Sequence, residues 1–319
     1  MPARAHEHWQ PAAAVRLRSV PRVQLLSSSV LLIANPAARR AARVVARVRR
    51  TLGELGVAYE LVLTERPGHA REIAAAHAPE RGLVYVLGGD GTVMEVVGAL
   101  AHTGTPLGII PGGTGNLVAR TLGVPLDPER AVRWLAAGRA VTMDLGLLDG
   151  GRYFAFAAGV GVDARMIAET GAAAKRRFGI LAYATTATRA ALQCRTVATR
   201  VTVDGEQFAG RSAAALVANM GNVLNGLIML GPDIQSDDGQ LDLCLFTPRG
   251  TAEAVGVAWR MFRGGLKDGP AMMFRRGSII RVECDPPQLF HADGELLGST
   301  PFEARVQPGA GTFVVGGGW

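Results

Sequence analysis

The chain has 319 residues, 48% of them hydrophobic and 19% charged; that is enough apolar material for two folded domains and excludes a disordered polyelectrolyte. Its net charge of +7 suits an anionic partner, but aromatic residues make up only 6% and none interleave a basic run, which argues against nucleic acid. Cys194, Cys244 and Cys284 are too few and too scattered for a disulfide framework or a zinc site and fit a reducing cytoplasm, and no apolar run approaches the roughly 18 residues that a spanning helix needs.

Residues 1–27, rich in Arg and Ala and interrupted by Pro2, Pro11 and Pro21, read as a loose basic extension. Strands and helices then alternate through residues 28–144. A strand over 30–34 runs into the Asn35-Pro36 turn and a helix over 37–53. Strand 59–64 precedes helix 68–76, strand 83–87 precedes helix 93–101, and strand 106–110 precedes helices from Asn116 and over 128–137. Such alternation predicts an α/β lobe with a parallel sheet, whose ligands sit at the carboxyl ends of the strands. Over 145–319 the pattern becomes mainly β and sandwich-like. Strands are expected at 153–158, 197–203, 213–220, 241–246, 278–284, 288–292 and 302–306, with helices over 177–194 and 252–263.

The chemistry is concentrated at the predicted strand ends. Gly88-Gly89-Asp90-Gly91-Thr92 follows a wholly apolar strand, and Gly112-Gly113-Thr114-Gly115-Asn116 follows the next one. Glycines let backbone N–H groups approach an anion, and a helix start beyond them adds its positive end. Two such turns on adjacent strands predict one phosphate-binding crevice. Asp90, itself an anion, would serve a metal, a water or a hydroxyl beside the phosphates. Neither the GxxxxGK[ST] loop nor the GxGxxG fingerprint is present, so a nucleotide would be held by another device.

Two acidic turns lie further on. Counted from Asp233, an EF-hand would need Gly at position six and Glu at position twelve; Asp238 and Cys244 stand there, so that reading fails. Asp238-Gly239 remains as a hairpin turn. Asp293-Gly294-Glu295 ends another strand and either closes a turn or presents two acids to a cleft. His291 beside it reads as a strand residue rather than a catalyst.

Asn35-Pro36, Gly88-Gly89-Asp90-Gly91-Thr92 with Glu95, Gly113-Thr114-Gly115-Asn116 and Asp293-Gly294-Glu295 occur in this order. From about Leu31 to its end the chain thereby resembles the diacylglycerol kinase catalytic family, which includes soluble bacterial lipid kinases and sphingosine and ceramide kinases. The resemblance implies two lobes with the active site between them. It further implies an ATP- and Mg²⁺-dependent kinase that phosphorylates a lipid hydroxyl, diacylglycerol first and a ceramide or sphingoid base second. Asn35, Pro36, Arg39, Thr64, Gly88, Gly89, Gly91, Thr92, Glu95, Gly113, Thr114 and Asn116 would line the nucleotide. Glu295, Asp293 or Asp90 would accept the hydroxyl proton. A structural Mg²⁺ would sit on Asp238 and the carbonyls of Gln235 and Gln240, with Asp144 joining the metal and water network.

Departures from the family pattern are Ala37-Ala38-Arg39 after Asn35-Pro36, and Met94 where an asparagine is usual. They keep a decayed nucleotide-binding regulator in view, and an NAD kinase-like enzyme shares the glycine run. A lipid kinase without a spanning helix would be cytoplasmic and peripherally bound to an anionic membrane; a homodimer is left open. Arg39, Arg43, Arg47 and Arg50 recur at helical spacing, and Lys175-Arg176-Arg177 precede an apolar stretch over 178–192. These are either solvated faces or docking elements, since basic residues at an anionic leaflet contribute about 1 kcal/mol each.

Overall fold

The computed structural model describes residues 29–36, 41–161, 195–223, 228–263 and 266–316. The basic extension, Ala37-Ala38-Arg39, Lys175-Arg176-Arg177 and the helix expected over 177–194 lie outside the described residues.

The first lobe runs β1 (Val30–Ala34), α1 (Ala41–Glu54), β2 (Tyr59–Leu63), α2 (His69–His77), β3 (Leu83–Gly88), α3 (Asp90–Leu100), β4 (Leu107–Pro111), α4 (Leu117–Thr121) and α5 (Pro128–Ala136). Its strands pair in parallel in the order β2-β1-β3-β4. Every residue of β1, β3 and β4 is buried. That is why each is a continuous apolar run: helices cover both faces of a parallel sheet. α5 begins where Asp127 caps the Arg130 amide and Pro128 takes the first helical position.

The second lobe contains β5 (Arg139–Leu148), β6 (Tyr153–Phe154), β7 (Ala157–Gly161), β8 (Val197–Val203), β9 (Glu206–Ser212), β10 (Ala214–Ala218), β11 (Asn222–Val223), β12 (Ile228–Met229), β13 (Leu241–Phe246), α6 (Thr251–Arg263), β14 (Met272–Gly277), β15 (Ile279–Asp285), β16 (Leu289–Ala292), β17 (Glu295–Ser299) and β18 (Phe302–Val315). One antiparallel sheet has the order β14-β13-β10-β7-β16-β17. The other is continuous with the first lobe, in the order β2-β1-β3-β4-β18-β15-β8-β9, with β5 on β18. Leu243, Val217, Val160 and Phe290 from one sheet meet Val201, Ile280, Phe302 and Ala304 from the other in a sandwich core. Phe290 and Phe302 stack at 4.7 Å between ring centres.

Three expectations change. The strand expected over 153–158 is interrupted at Ala155 and Phe156. The strand expected over 302–306 continues to Val315 and returns to the first lobe beside β4. The arginines of α1 also have a local task. Arg47 pairs with Asp127 and Glu129, and Arg50 pairs with Glu129 and Glu54, so this face seals α1 to α5.

Candidate active site

The carboxyl ends of β1, β3 and β4 converge. Asn35 leaves β1 and donates its amide to Thr92 Oγ1 at 3.0 Å. Gly112 N donates to Gly88 O at 2.8 Å, which ties the two glycine turns together. Their backbones approach so closely that a Cβ on Gly113 would lie 2.6 Å from the Gly89 Cα. Glycine is required there by space. Asn116 holds the second turn, accepting from Gly113 N and donating to Gly113 O, both at 2.9 Å, from a left-handed conformation with φ of 51°. Gly113 and Thr114 form the exposed lip, and Thr64 is buried at the end of β2.

α3 starts at Asp90, three residues earlier than the sequence pattern predicts, with Gly89 as its side-chain-free cap. Its first-turn amides therefore have no side-chain acceptor from the cap, as suits an anion at a helix N-terminus. Asp90, the first residue of the helix, is held by its own amide and by the start of α4. Its Oδ1 accepts the Leu117 amide at the start of α4. Burial raises its pKa against the pull of the Leu117 and Asn116 amides, and the nearby Glu295 charge adds to the rise.

Glu95, expected at the nucleotide, points elsewhere. Its carboxylate accepts Gly68 N at 2.8 Å and Ala70 N at 3.1 Å, capping α2 from outside where Gly68 has no side chain to do so. Met94, the departure from the usual asparagine, is buried in the core and subtracts no hydrogen bond from the crevice.

The Asp-Gly-Glu turn divides its two acids. Asp293 is 1% exposed. Its carboxylate accepts Ala155 N at 2.7 Å, Phe156 N at 2.9 Å and Ala157 N at 3.0 Å. Two of these amides, those of Ala155 and Phe156, lie at the break in the strand expected over 153–158, and the third opens β7. Both oxygens are engaged, so Asp293 serves as a backbone clamp. Burial pushes its carboxyl up to about 6 despite the three amides. Glu295, half-buried, instead reaches the first glycine turn. A Cβ on Gly91 would collide with Glu295 Oε1, so Gly91 is what lets the two lobes touch here. Glu295 Oε2 is paired with Arg152, a residue that carries no motif signal and that sequence reasoning missed. Asn219 was missed too; fully buried, it donates to the carbonyls of Asp144 and Ala155 and so joins β5 to the clamp.

Asp144 is 3% exposed, and its oxygens accept Gly309 N at 2.8 Å and Gly239 N at 2.7 Å. It is a clasp between β18 and the acidic turn. Burial raises its carboxyl, with Asp238 and Asp237 adding to the rise. In the acidic turn Asp238 Oδ1 accepts Gln240 N at 3.0 Å, and Arg276 stands 3.5 Å from Oδ2. Arg276 also donates to the Asp233 carbonyl and to Asp242. Among the described residues no three His, Cys, Asp or Glu side chains form a metal cluster. The donor set that the resemblance implies for Mg²⁺ would be one carboxylate with backbone carbonyls, all oxygen, in a turn whose acids Asp233, Asp237 and Asp238, with Asp242 next to it in β13, outnumber Arg276. That composition fits a hard cation.

A crevice of helix amides and glycines at parallel strand ends, faced by an acid from a second lobe, is the architecture of a phosphotransferase. Residues 29–148 match the family model described as diacylglycerol kinase catalytic domain, and residues 157–315 match the one described as YegS C-terminal NAD kinase beta sandwich-like domain. The diacylglycerol kinase of Bacillus subtilis (strain 168) is 31% identical over 238 residues, 74% of this chain and 77% of that one. The uncharacterized protein sll0036 of Synechocystis is 29% identical over 229 residues, 70% of this chain, and the match spans about half (53%) of that relative's own length. A crystal structure of a diacylglycerol kinase from Bacillus anthracis str. Sterne shares the fold, with a TM-score of 0.71 at 22% identity over 91% of this chain and 98% of that one. The chain belongs to the diacylglycerol kinase catalytic-domain family and is a lipid kinase.

Proposed function

We propose that the protein transfers the γ-phosphoryl group of ATP to the free hydroxyl of diacylglycerol, giving phosphatidic acid, with Glu295 as the proton acceptor. The observation that carries this is Glu295 Oε1 lying against Gly91, in the first turn of α3. An acid from the second lobe thus faces the turn where phosphate would bind. Asp293 and Asp144 have both oxygens filled by amides and Asp90 is partly buried with its carboxylate held by the Leu117 and Asn116 amides, whereas Glu295, paired through Oε2 with Arg152, is half-exposed and keeps Oε1 toward Gly91, which favours it as the base.

Asn35, Pro36, Thr64, Gly88, Gly89, Gly91, Thr92, Gly113, Thr114 and Asn116 would shape the nucleotide crevice, with the α3 amides toward the phosphates. The acceptor oxygen would form a bond to the γ-phosphorus as the β–γ bridging bond breaks, its proton would pass to Glu295, and ADP would leave. Such a transfer depends mainly on positioning and charge. A divalent ion supplies charge neutralisation when bound. A resident Mg²⁺ would be held by Asp238 with the carbonyls of Gln235 and Gln240. The net charge of +7 supports a cytoplasmic enzyme meeting its lipid at an anionic membrane surface, and no helix among the described residues is long and apolar enough to cross one.

The test is incubation with a total lipid extract and labelled ATP. Labelled phosphatidic acid is expected; a labelled ceramide or sphingoid phosphate would reassign the substrate. Glu295→Gln should lower turnover by roughly 10²- to 10⁴-fold, the usual scale for a positioned base. Unchanged turnover would remove Glu295 from that role.

A further inference from the structure

Glu295 has two oxygens, and the structure treats them differently. Oε2 is paired with the Arg152 guanidinium, whereas Oε1 lies over Gly91 in the phosphate turn. The backbone of Arg152 is fixed in a turn. It closes the tight connection between β5 and β6, where Leu148 N donates to Arg152 O at 2.9 Å and Gly151 N donates to Leu148 O at 2.8 Å. The next residue, Tyr153, packs beside Gly98 of α3, the helix whose N-terminus would face the phosphates. The arginine and the phosphate turn are thus referenced to one helix.

The surroundings give this cation a task. The Glu295 charge reaches Asp90 and the Asp90 charge reaches Asp293, and a nucleotide would add further negative charge. An unpaired Glu295 would be driven away from that site. A guanidinium keeps its charge at every working pH and cannot take the substrate's proton itself. It can hold one carboxylate oxygen and leave the other free.

We infer that Arg152 is a positioning residue for this reaction, fixing Glu295 Oε2 so that Oε1 is the oxygen presented to the acceptor hydroxyl. This rests on Glu295 being the base, as proposed above. The pair is more than a third exposed on both sides, so it contributes little to stability. Its effect belongs in turnover, where a misplaced group costs up to roughly 10²-fold.

The experiment compares the full chain with Arg152→Met, Arg152→Lys, Glu295→Gln and the Arg152→Met/Glu295→Gln double variant, measuring kcat, KM for ATP and Tm. Arg152→Met should lower kcat by roughly 10- to 10²-fold at wild-type KM and Tm, and Arg152→Lys should restore most of the loss. The double variant should be no slower than Glu295→Gln alone, because both changes remove the same function. Wild-type kcat in Arg152→Met, a loss confined to KM, or losses that multiply in the double variant would each overturn the inference while leaving a slow Glu295→Gln, and with it the base, intact. A fully active Glu295→Gln would overturn both.

Discussion

Asp293 shows how one side chain sets the local backbone. It sits at a positive φ of 46°, which the following Gly294 continues at 86°, so the turn directs its carboxylate back beneath β7. There it collects three amides that no strand partner takes. Asp293→Asn would put an N–H₂ against one of these donors, a mismatch of about 1–3 kcal/mol for a buried group. That cost should depend on pH in a definite direction. The folded carboxyl lies at about 6, above its unfolded value of about 3.9. Its titration therefore adds stability that is full below the unfolded value and is lost as pH rises through about 6. Because the Asn variant does not titrate, wild type should exceed it by a wider margin at pH 4.5 than at pH 7.5. Urea unfolding at the two values measures this, and a margin that widens toward pH 7.5 would refute the account.

At the scale of elements, the acidic turn before β13 is tethered twice. Arg276, opposite Asp242 in the β13–β14 register, bonds Asp242 at 3.0 Å and the Asp233 carbonyl at 2.7 Å, while Asp144 holds Gly239. A bound Mg²⁺ would be a third tether and not the sole one. Added Mg²⁺ should therefore raise the wild-type Tm modestly, by the equivalent of about 1–3 kcal/mol near saturation, and chelation should reverse the shift. Asp238→Ala should melt lower and lose the Mg²⁺ response. Equal Mg²⁺ shifts in both proteins would detach the ion from this turn.

How far these elements could be read in the sequence follows from what shapes each one. β1, β8 and β13 fall where the pattern places them, because buried or alternating β-branched runs need no tertiary information. The helix expected over 93–101 opens three residues earlier, at Asp90, because Gly89 and Gly91 around its start read as a turn until a ligand-facing helix start is recognised. β5 and the far half of β18 were hidden for a related reason. Gly146 in one, and Gly309 and Gly311 in the other, look like breaks, yet the two strands pair with each other across a register shift between Gln307 and Gly311. In the site, the glycine turns announced themselves. The sorting of Glu295 from Asp293 and the pairing with Arg152 depend on which amides and cations a fold 140 residues away supplies, and no local pattern carries that.

Among the described residues, the two lobes share one continuous sheet, on which the second lobe packs its separate antiparallel sheet. β18 pairs with β15 through Ile280 and Ala304 in the sandwich, runs along β5, and meets β4 at Phe313 and Leu107 in the first lobe. At its register shift Gly309 donates to Asp144, so the clasp sits where the strand passes between lobes. The main apolar cluster follows the same route, from Val30 and Ile109 through Phe313 to Leu216 and Phe246 of the second sheet. A boundary near residue 144 is thus crossed by a strand, a buried carboxylate and a shared core, and neither lobe can open without exposing the other's interior. Cooperative unfolding is the expected consequence. Native-state hydrogen exchange in rising urea should show amides of β3 and of β10 joining a common opening at the same free energy. If β10 exchanged through a separate opening while β3 stayed protected, the shared strand would not couple the lobes. Glu295 would then be held over Gly91 by the Arg152 pair and local contacts, without the support of a common core.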